Sequence, residues 1–123
     1  MTVLVVEDDF VTRFVINRMC EQLGYACVSV DDGQGCLDKV TEAHSEIDVV
    51  LLDIHMPRLS GTEVVATMRA SEVEPLKTLP VIAVTADDNW KDVRRCIENG
   101  FTGVIAKPVT LPQLSTVLSK YSK

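Results

Sequence analysis

The segment Val49-Val50-Leu51-Leu52-Asp53 constrains the fold of this chain more than any other stretch. Its four consecutive aliphatic residues leave no polar face for water, so they predict a strand buried on both faces of a sheet. Asp53 follows at once, and the carboxyl ends of strands in open α/β sheets border the ligand crevice. Asp53 is therefore expected where such folds place their chemistry. Pro57 then prevents the strand from continuing.

Four more apolar segments, beginning near residues 3, 26, 81 and 103, have the composition of strands. The segment at residue 26 alternates more than the others, which predicts a less buried edge strand. Apolar residues at helical spacing follow each of the five segments. Strands and helices in strict alternation require right-handed parallel crossovers, so we predict an α/β doubly wound sheet of five parallel strands with five helices.

Capping residues locate the ends of the predicted helices. Asp9 is the expected N-cap of the first helix, Ser60 opens a capping box at the third, and Asp87 is the expected N-cap of the fourth. Residues 71–79 are expected to form a loop. The apolar stripes expected to face the core in the first and fourth helices are Val11, Phe14, Val15, Met19 and Leu23, then Trp90, Val93 and Ile97.

Composition excludes several classes of function. The 123 residues, 46% of them hydrophobic, suit one compact domain with a core. With 12 Lys and Arg against 18 Asp and Glu, the net charge is −6, so direct nucleic-acid binding is not expected. The longest apolar run is too short for membrane insertion, and the chain enters its first strand without a signal-like leader. A cytoplasmic location is therefore expected.

The four cysteines, Cys20, Cys27, Cys36 and Cys96, are scattered along the chain. They form no CxxC pair and lie at no ligand spacing from a histidine, so neither a zinc site nor a redox dithiol is predicted. They are expected to be small apolar side chains buried in the core.

Four of the five predicted strands end in a polar group: Glu7 and Asp8, Asp53, Thr85, and Lys107. Each alone is typical of a turn or helix cap, but chance does not explain complementary groups on adjacent strand ends. Two carboxylates ~4 Å apart repel by ~4 kcal/mol at an effective dielectric near ~20, so a cation is implied. Oxygen ligands alone suit Mg²⁺ or Mn²⁺. With a lysine and a hydroxyl, the set is suited to phosphoryl transfer onto a carboxylate.

Motifs in this order and spacing resemble the response-regulator receiver domain of two-component signalling. They are Leu4-Val5-Val6-Glu7-Asp8-Asp9, Leu51-Leu52-Asp53-Ile54-His55-Met56-Pro57 with Gly61, Val84-Thr85-Ala86, and Lys107-Pro108. The resemblance covers essentially the whole chain and implies one receiver domain over residues 1–123. It also implies a flavodoxin-like sheet with strand order 2-1-3-4-5.

The resemblance further implies a role for each motif residue. Asp53 would be the phosphoacceptor, and Thr85 and Lys107 would contact the phosphoryl group. Mg²⁺ would be held by the carboxylates of Asp8 and Asp53 and the backbone carbonyl of His55, with Glu7 reaching it through water. The Lys107-Pro108 peptide bond would be cis.

The implied partners are a histidine kinase or histidine phosphotransfer protein as donor, and an output domain or protein as target. The chain would catalyse only its own phosphorylation and dephosphorylation and so would not be an enzyme in the usual sense. Whether it is a stand-alone regulator or a receiver excised from a hybrid kinase stays open.

Two residues depart from the family pattern. Val104 stands where an aromatic switch residue is common, so activation is expected to pass through Thr85 and the segment from Ala86 to Trp90. His55 occupies a variable position, where its imidazole either tunes phosphoryl chemistry or simply faces solvent.

Other functions fit the motifs less well. A Mg²⁺-dependent aspartyl-nucleophile phosphohydrolase of the haloacid-dehalogenase type has a second Asp two residues after its nucleophile, where this chain has His55, and it carries a cap domain. A flavodoxin needs a phosphate loop after its first strand, and Glu7-Asp8-Asp9 would repel a phosphate there. A receiver that only binds partners would have lost one of the acidic, Thr or Lys positions, and all are present.

Overall fold

A computed structural model describes residues 1–122, over which the chain forms five strands and six α-helices. The strands are β1 (Thr2–Val6), β2 (Ala26–Val30), β3 (Val49–Asp53), β4 (Val81–Thr85) and β5 (Gly103–Ala106). The α-helices are α1 (Phe10–Gln22), α2 (Gly33–Ala43), α3 (Gly61–Arg69), α4 (Glu74–Thr78), α5 (Val93–Glu98) and α6 (Leu111–Ser119). Two short 3₁₀ helices span His44–Glu46 and Asp88–Trp90.

The five strands form one parallel sheet in the order β2-β1-β3-β4-β5, which confirms the expected topology. Every residue of β3 and β4 is buried, whereas β2 lies at an edge and exposes Ala26 and Ser29. Side chains of β3 alternate between two cores: Val50 and Leu52 face α2 to α5, and Leu51 faces α1 and α6. The sheet is therefore covered on both faces.

Several predicted helix ends are confirmed. The Asp9 carboxylate accepts a hydrogen bond from the Thr12 N–H at 2.9 Å. The capping box predicted at Ser60 is formed, and a second capping box is present at Thr110. Gly24 follows α1 with a φ of 84°, a conformation that costs glycine little and lets the chain turn back into β2.

The helix count was one too low. The segment over residues 71–79, predicted to be a loop, contains α4, because Pro75 lies in the first turn, where no amide donor is needed, and Leu76 is buried. The predicted fourth helix also begins late. Asp87 caps only the 3₁₀ segment Asp88–Trp90, and Asp92 caps α5.

Two predicted apolar stripes were wrong in part. In α1 the residues buried against the sheet are Ile16 and Cys20, one turn apart, whereas much of the predicted stripe faces solvent. In α5 only Cys96 is buried. The exposed large apolar side chains of these two helices are Phe10, Val11, Phe14, Val15, Val93 and Ile97. A helix laid on a sheet buries a narrow stripe, and helical spacing alone does not say which one.

Within residues 1–122, no helix is long and apolar enough to cross a membrane.

Candidate functional site

The polar ends of β1, β3, β4 and β5 meet at one edge of the sheet. The chain crosses from β1 to β2 on one side and returns to β3 on the other, so a crevice opens between β1 and β3. Glu7 and Asp8 follow β1, and Asp53 ends β3. The next two strands supply Thr85 and Lys107. The structure thus brings together the five residues that the sequence analysis placed at this edge.

Three carboxylates form the acidic cluster of the crevice. One carboxylate oxygen each from Glu7, Asp8 and Asp53 lies within 4.8 Å of the others. Glu7 and Asp53 are buried, whereas Asp8 is exposed at the mouth. The donor set contains only hard oxygen atoms, so it fits a small divalent cation such as Mg²⁺ or Mn²⁺ and not a thiolate-bound metal.

Lys107 lies against this cluster. Its Nζ donates to Glu7 Oε2 at 3.0 Å and lies 3.5 Å from Asp53 Oδ1. Burial lowers the pKa of Lys107, but the hydrogen bond to Glu7 and the charge of Asp53 outweigh burial, so the net pKa is raised. The Lys107 amide donates to the Thr85 carbonyl at 2.8 Å, and the Lys107-Pro108 bond is cis, as the resemblance implied. The ammonium group is thus a fixed positive charge beside Asp53.

Asp53 has an unusual electrostatic environment. Burial and the charge of Glu7 raise its pKa to about 7, against the lowering effect of Lys107. The His55 amide donates to Asp53 Oδ1 at 3.3 Å. The pKa shift means that the positive charge of Lys107 does not fully balance the negative charge of the crevice. A cation at the cluster would favour the ionised form of Asp53.

Gly61 closes the loop that follows Asp53. Its amide donates to the Ile54 carbonyl at 2.8 Å, and a Cβ on Gly61 would collide with the carbonyl oxygen of Asp53. Only glycine allows this close approach, which gives a physical reason for the glycine in the motif.

Thr85 is buried at the end of β4, and its Oγ1 accepts a hydrogen bond from the Asp87 amide at 3.0 Å. The Asp87 carboxylate in turn contacts the imidazole of His55. Ala86 is exposed at the mouth. Trp90 and Val104 do not belong to the acidic cluster; both are half-buried and pack against the core on the α5 side.

Two neighbours of the site escaped the sequence analysis. Arg13 Nη1 donates to the Glu7 carbonyl at 2.8 Å and so ties α1 to the acidic loop. Asp87 was assigned only a capping role, yet it contacts both Thr85 and His55. The Arg13 contact with Glu7 and the Asp87 contact with His55 join different elements, so no local pattern marks them.

An apolar surface borders the mouth of the crevice. We call it the α1 patch, and its exposed members are Phe10, Val11, Phe14 and Val15. A groove of about 380 Å³ separates the patch from the end of β5. It is lined by Val11, Thr12, Val15, Ile16, Ala86, Lys107, Pro108 and Val109. Lys107 therefore borders both the groove and the acidic cluster.

Comparison with known proteins places this geometry in a family. The family model of the response regulator receiver domain matches residues 3–119. Sensor histidine kinase RcsC of Escherichia coli strain K12 is 34% identical over 123 residues, which are all of this chain but only 12% of the kinase. The chain thus spans about an eighth of that relative's length.

Solved structures agree with the sequence matches. Chemotaxis response regulator CheY4 of Vibrio cholerae is 26% identical, with a TM-score of 0.85 over 98% of each chain. The receiver domain of sensor histidine kinase PA1611 from Pseudomonas aeruginosa PAO1 was solved with a magnesium ion coordinated in its active site cleft. It is 31% identical, with a TM-score of 0.79 over 98% of this chain and 95% of that one.

Proposed function

The chain belongs to the response regulator receiver domain family of two-component signalling, and on that premise we propose that it is a switch phosphorylated on Asp53. Residues 1–123 would form one receiver domain. The observation that carries the proposal is the position of Asp53: a buried carboxylate within 3.5 Å of Lys107 and inside a cluster of oxygen ligands. Lys107 on one side, and a cation held by the oxygen ligands on the other, would neutralise the charge of a transferred phosphoryl group.

In the proposed reaction, an Asp53 oxygen attacks the phosphorus of a phosphohistidine. A P–O bond forms, the P–N bond breaks, and the imidazole leaves and takes a proton from solvent. Lys107 and Thr85, on neighbouring strand ends, would contact the phosphoryl oxygens. The carboxylates of Asp8 and Asp53 and the carbonyl of His55 would hold Mg²⁺ or Mn²⁺, with Glu7 acting through water. The bound cation would supply further charge neutralisation.

We propose a histidine kinase or a histidine phosphotransfer protein as the donor, met in the cytoplasm. The α1 patch supports a protein donor, because four exposed apolar side chains beside a charged crevice are typical of a docking surface. A donor histidine must reach Asp53, and the patch and its groove adjoin that path. The phosphorylated chain would then act on an output domain or a protein partner.

The phosphohydrolase alternative has less support. A haloacid-dehalogenase-type enzyme needs a second carboxyl group two residues after the nucleophile, and here the side chain at that position, His55, contacts Asp87. The chain is therefore proposed to catalyse only its own phosphorylation and dephosphorylation.

The test is incubation with acetyl phosphate and Mg²⁺, followed by mass spectrometry of the intact protein. We expect one added phosphoryl group, labile to hydroxylamine, and none in Asp53→Asn or after chelation with EDTA. Asp38→Asn, an exposed change on α2, is the matched control and should be phosphorylated normally. Equal phosphoryl uptake by the wild-type chain and Asp53→Asn would refute the assignment.

A further inference from the structure

The junction between α1 and β2 brings two thiols together. After Gly24 the chain reverses, and the Tyr25 amide donates to the Cys20 carbonyl at 3.0 Å, so β2 begins alongside the last turn of α1. Cys20 is fully buried, whereas Cys27 is half-buried near the surface. Both thiols contribute to the core between the sheet and α1.

Direct contacts join Cys27 to one face of α1. The Cys27 thiol donates to Asn17 Oδ1 at 3.0 Å, and Asn17 lies one helical turn before Cys20. A hydrogen bond from the Cys20 thiol lowers the pKa of Cys27, although burial opposes this effect. The same contact, together with burial, raises the pKa of Cys20. Cys27 is thus the more acidic and more accessible thiol of an interacting pair.

The other two cysteines differ from this pair. Burial raises the pKa of Cys36 to about 12. Cys96 is buried, and its thiol donates to the Trp90 carbonyl at 3.2 Å. Within residues 1–122, no neighbouring thiol shifts the pKa of either residue. They serve as internal controls for the reactivity of the pair.

We propose that Cys20 and Cys27 form a redox-active dithiol that a peroxide oxidises to an intramolecular disulfide. The Cys27 thiolate attacks hydrogen peroxide, so that an S–O bond forms, the O–O bond breaks, and hydroxide leaves. The Cys20 sulfur then attacks the sulfenic sulfur; an S–S bond forms, the S–O bond breaks, and water leaves with the Cys20 proton. In sum, two thiols and one peroxide give one disulfide and two waters.

The bridge would tie the last turns of α1 to β2 and close a short loop. Cross-linking removes conformational freedom from the unfolded chain, so the oxidised protein should melt at a higher temperature than the reduced protein. The sequence analysis predicted no dithiol because the two residues lie seven apart and not in a CxxC motif. Only the helix-turn-strand reversal brings them together.

The test treats the reduced wild-type chain with hydrogen peroxide, blocks the remaining thiols with an alkylating agent, and maps the products by mass spectrometry. Cleavage after Tyr25 and before Asp31 separates Cys20, Cys27 and Cys36 into different peptides. We expect a Cys20–Cys27 cross-linked peptide, with Cys36 and Cys96 alkylated. In Cys20→Ser, the sulfenic acid of Cys27 should persist and be trapped by dimedone.

Kinetics provide a second measurement that requires no substitution. Cys27 should react with a limiting alkylating agent at least about tenfold faster than Cys36, since each unit of pKa changes the thiolate fraction tenfold. As a separate control, the double variant Cys36→Ala, Cys96→Ala should still form the Cys20–Cys27 disulfide. Oxidation that yields only intermolecular dimers, or modifies Cys36 and Cys96 as fast as Cys27, would overturn the proposal.

Discussion

His55 and Asp87 join the loops that follow β3 and β4, with His55 Nε2 2.8 Å from Asp87 Oδ2. The contact spans the mouth of the crevice, because His55 lies two residues after Asp53 and Asp87 lies two residues after Thr85. The Asp87 amide also donates a hydrogen bond to Thr85 Oγ1. The other carboxylate oxygen of Asp87 accepts a hydrogen bond from the Asn89 amide and so caps the 3₁₀ segment. His55 is therefore coupled to Thr85 through one intermediate residue.

We expect His55→Ala to shorten the lifetime of the phosphorylated state severalfold, because the open mouth admits water to the acyl phosphate. Asp87→Ala should have at least this effect, because it also removes the cap on the Asn89 amide. Adding His55→Ala to Asp87→Ala should change little, since both changes remove the same contact between the loops. The measurement is loss of phosphoryl group over time after removal of the donor. His44→Ala is the matched control, because His44 lies at the end of α2 and its Nδ1 is 3.1 Å from the carbonyl oxygen of Val40 in the same helix. Additive effects in the double variant would contradict the coupling.

Trp90 should report activation by a change in fluorescence. It lies in the 3₁₀ segment directly after Asp87, with the Arg95 guanidinium 4.0 Å from the centre of its ring. If Thr85 moves toward the phosphoryl group, the segment follows, and the stacking on Arg95 changes. We expect Mg²⁺ with beryllofluoride, but not Mg²⁺ alone, to change the spectrum. A change that survives in Thr85→Ala would show that Thr85 is not its trigger.

Substitutions of Asp8 and of Lys107 should affect metal binding differently. Asp8→Ala removes a proposed metal ligand and should weaken Mg²⁺ binding by at least about tenfold, the loss typical even of outer-shell changes. Lys107→Ala removes a cation that contacts Glu7 and Asp53, so affinity should be unchanged or higher. Titration calorimetry measures both, with Asp38→Ala as control. Similar losses in the two variants would indicate that Lys107 has a structural role.

The pKa of Asp53 predicts a pH-dependent stability. Because burial and Glu7 raise this pKa to about 7 in the folded chain, the folded state binds the proton more tightly than the unfolded state. This contribution to stability is complete below the unfolded pKa near ~4 and is lost as the pH rises through ~7. Asp53→Asn removes the effect, so it should be more stable than the wild type by up to about 4 kcal/mol at pH ~8 and not at pH ~4.

Urea unfolding in EDTA across this pH range measures the difference. Asp38→Asn, on the solvent face of α2, should follow the wild type at every pH. Added Mg²⁺ should stabilise the wild type at high pH, since it binds the ionised cluster. A constant difference between Asp53→Asn and the wild type from low to high pH would contradict the assigned pKa.

The α1 patch should affect phosphoryl transfer from a protein donor but not from a small-molecule donor. Phe14 is 55% exposed, and its truncation to Ala should weaken donor binding by roughly fivefold or more, as for an interface side chain worth about 1 kcal/mol. Transfer from a phosphorylated histidine phosphotransfer domain would slow, whereas phosphorylation by acetyl phosphate would not. Ile97→Ala, at 56% exposure on α5, is the matched control. Equal slowing with both donors would place the defect at Asp53 and not at docking.

Local sequence patterns determined the five strands and most of the helices. The apolar run before Asp53 is buried in β3, and the capping box at Ser60 forms as predicted. These features act over four or five residues, so they can be read without knowledge of the fold. The gathering of the five polar residues at four strand ends was also predictable, because parallel strands carry their carboxyl ends to the same edge.

Contacts between distant segments were decided only by the tertiary structure. Lys107 pairs with Glu7 across 100 residues of sequence. Burial of Asp53 and the charge of Glu7 raise the pKa of Asp53, and the charge of Lys107 lowers it. The His55 contact with Asp87 and the proximity of Cys20 to Cys27 likewise depend on how elements pack. The exposed face of α1 was mispredicted for the same reason. Apolar spacing states that a helix is amphipathic, but the neighbouring sheet selects which side chains it buries.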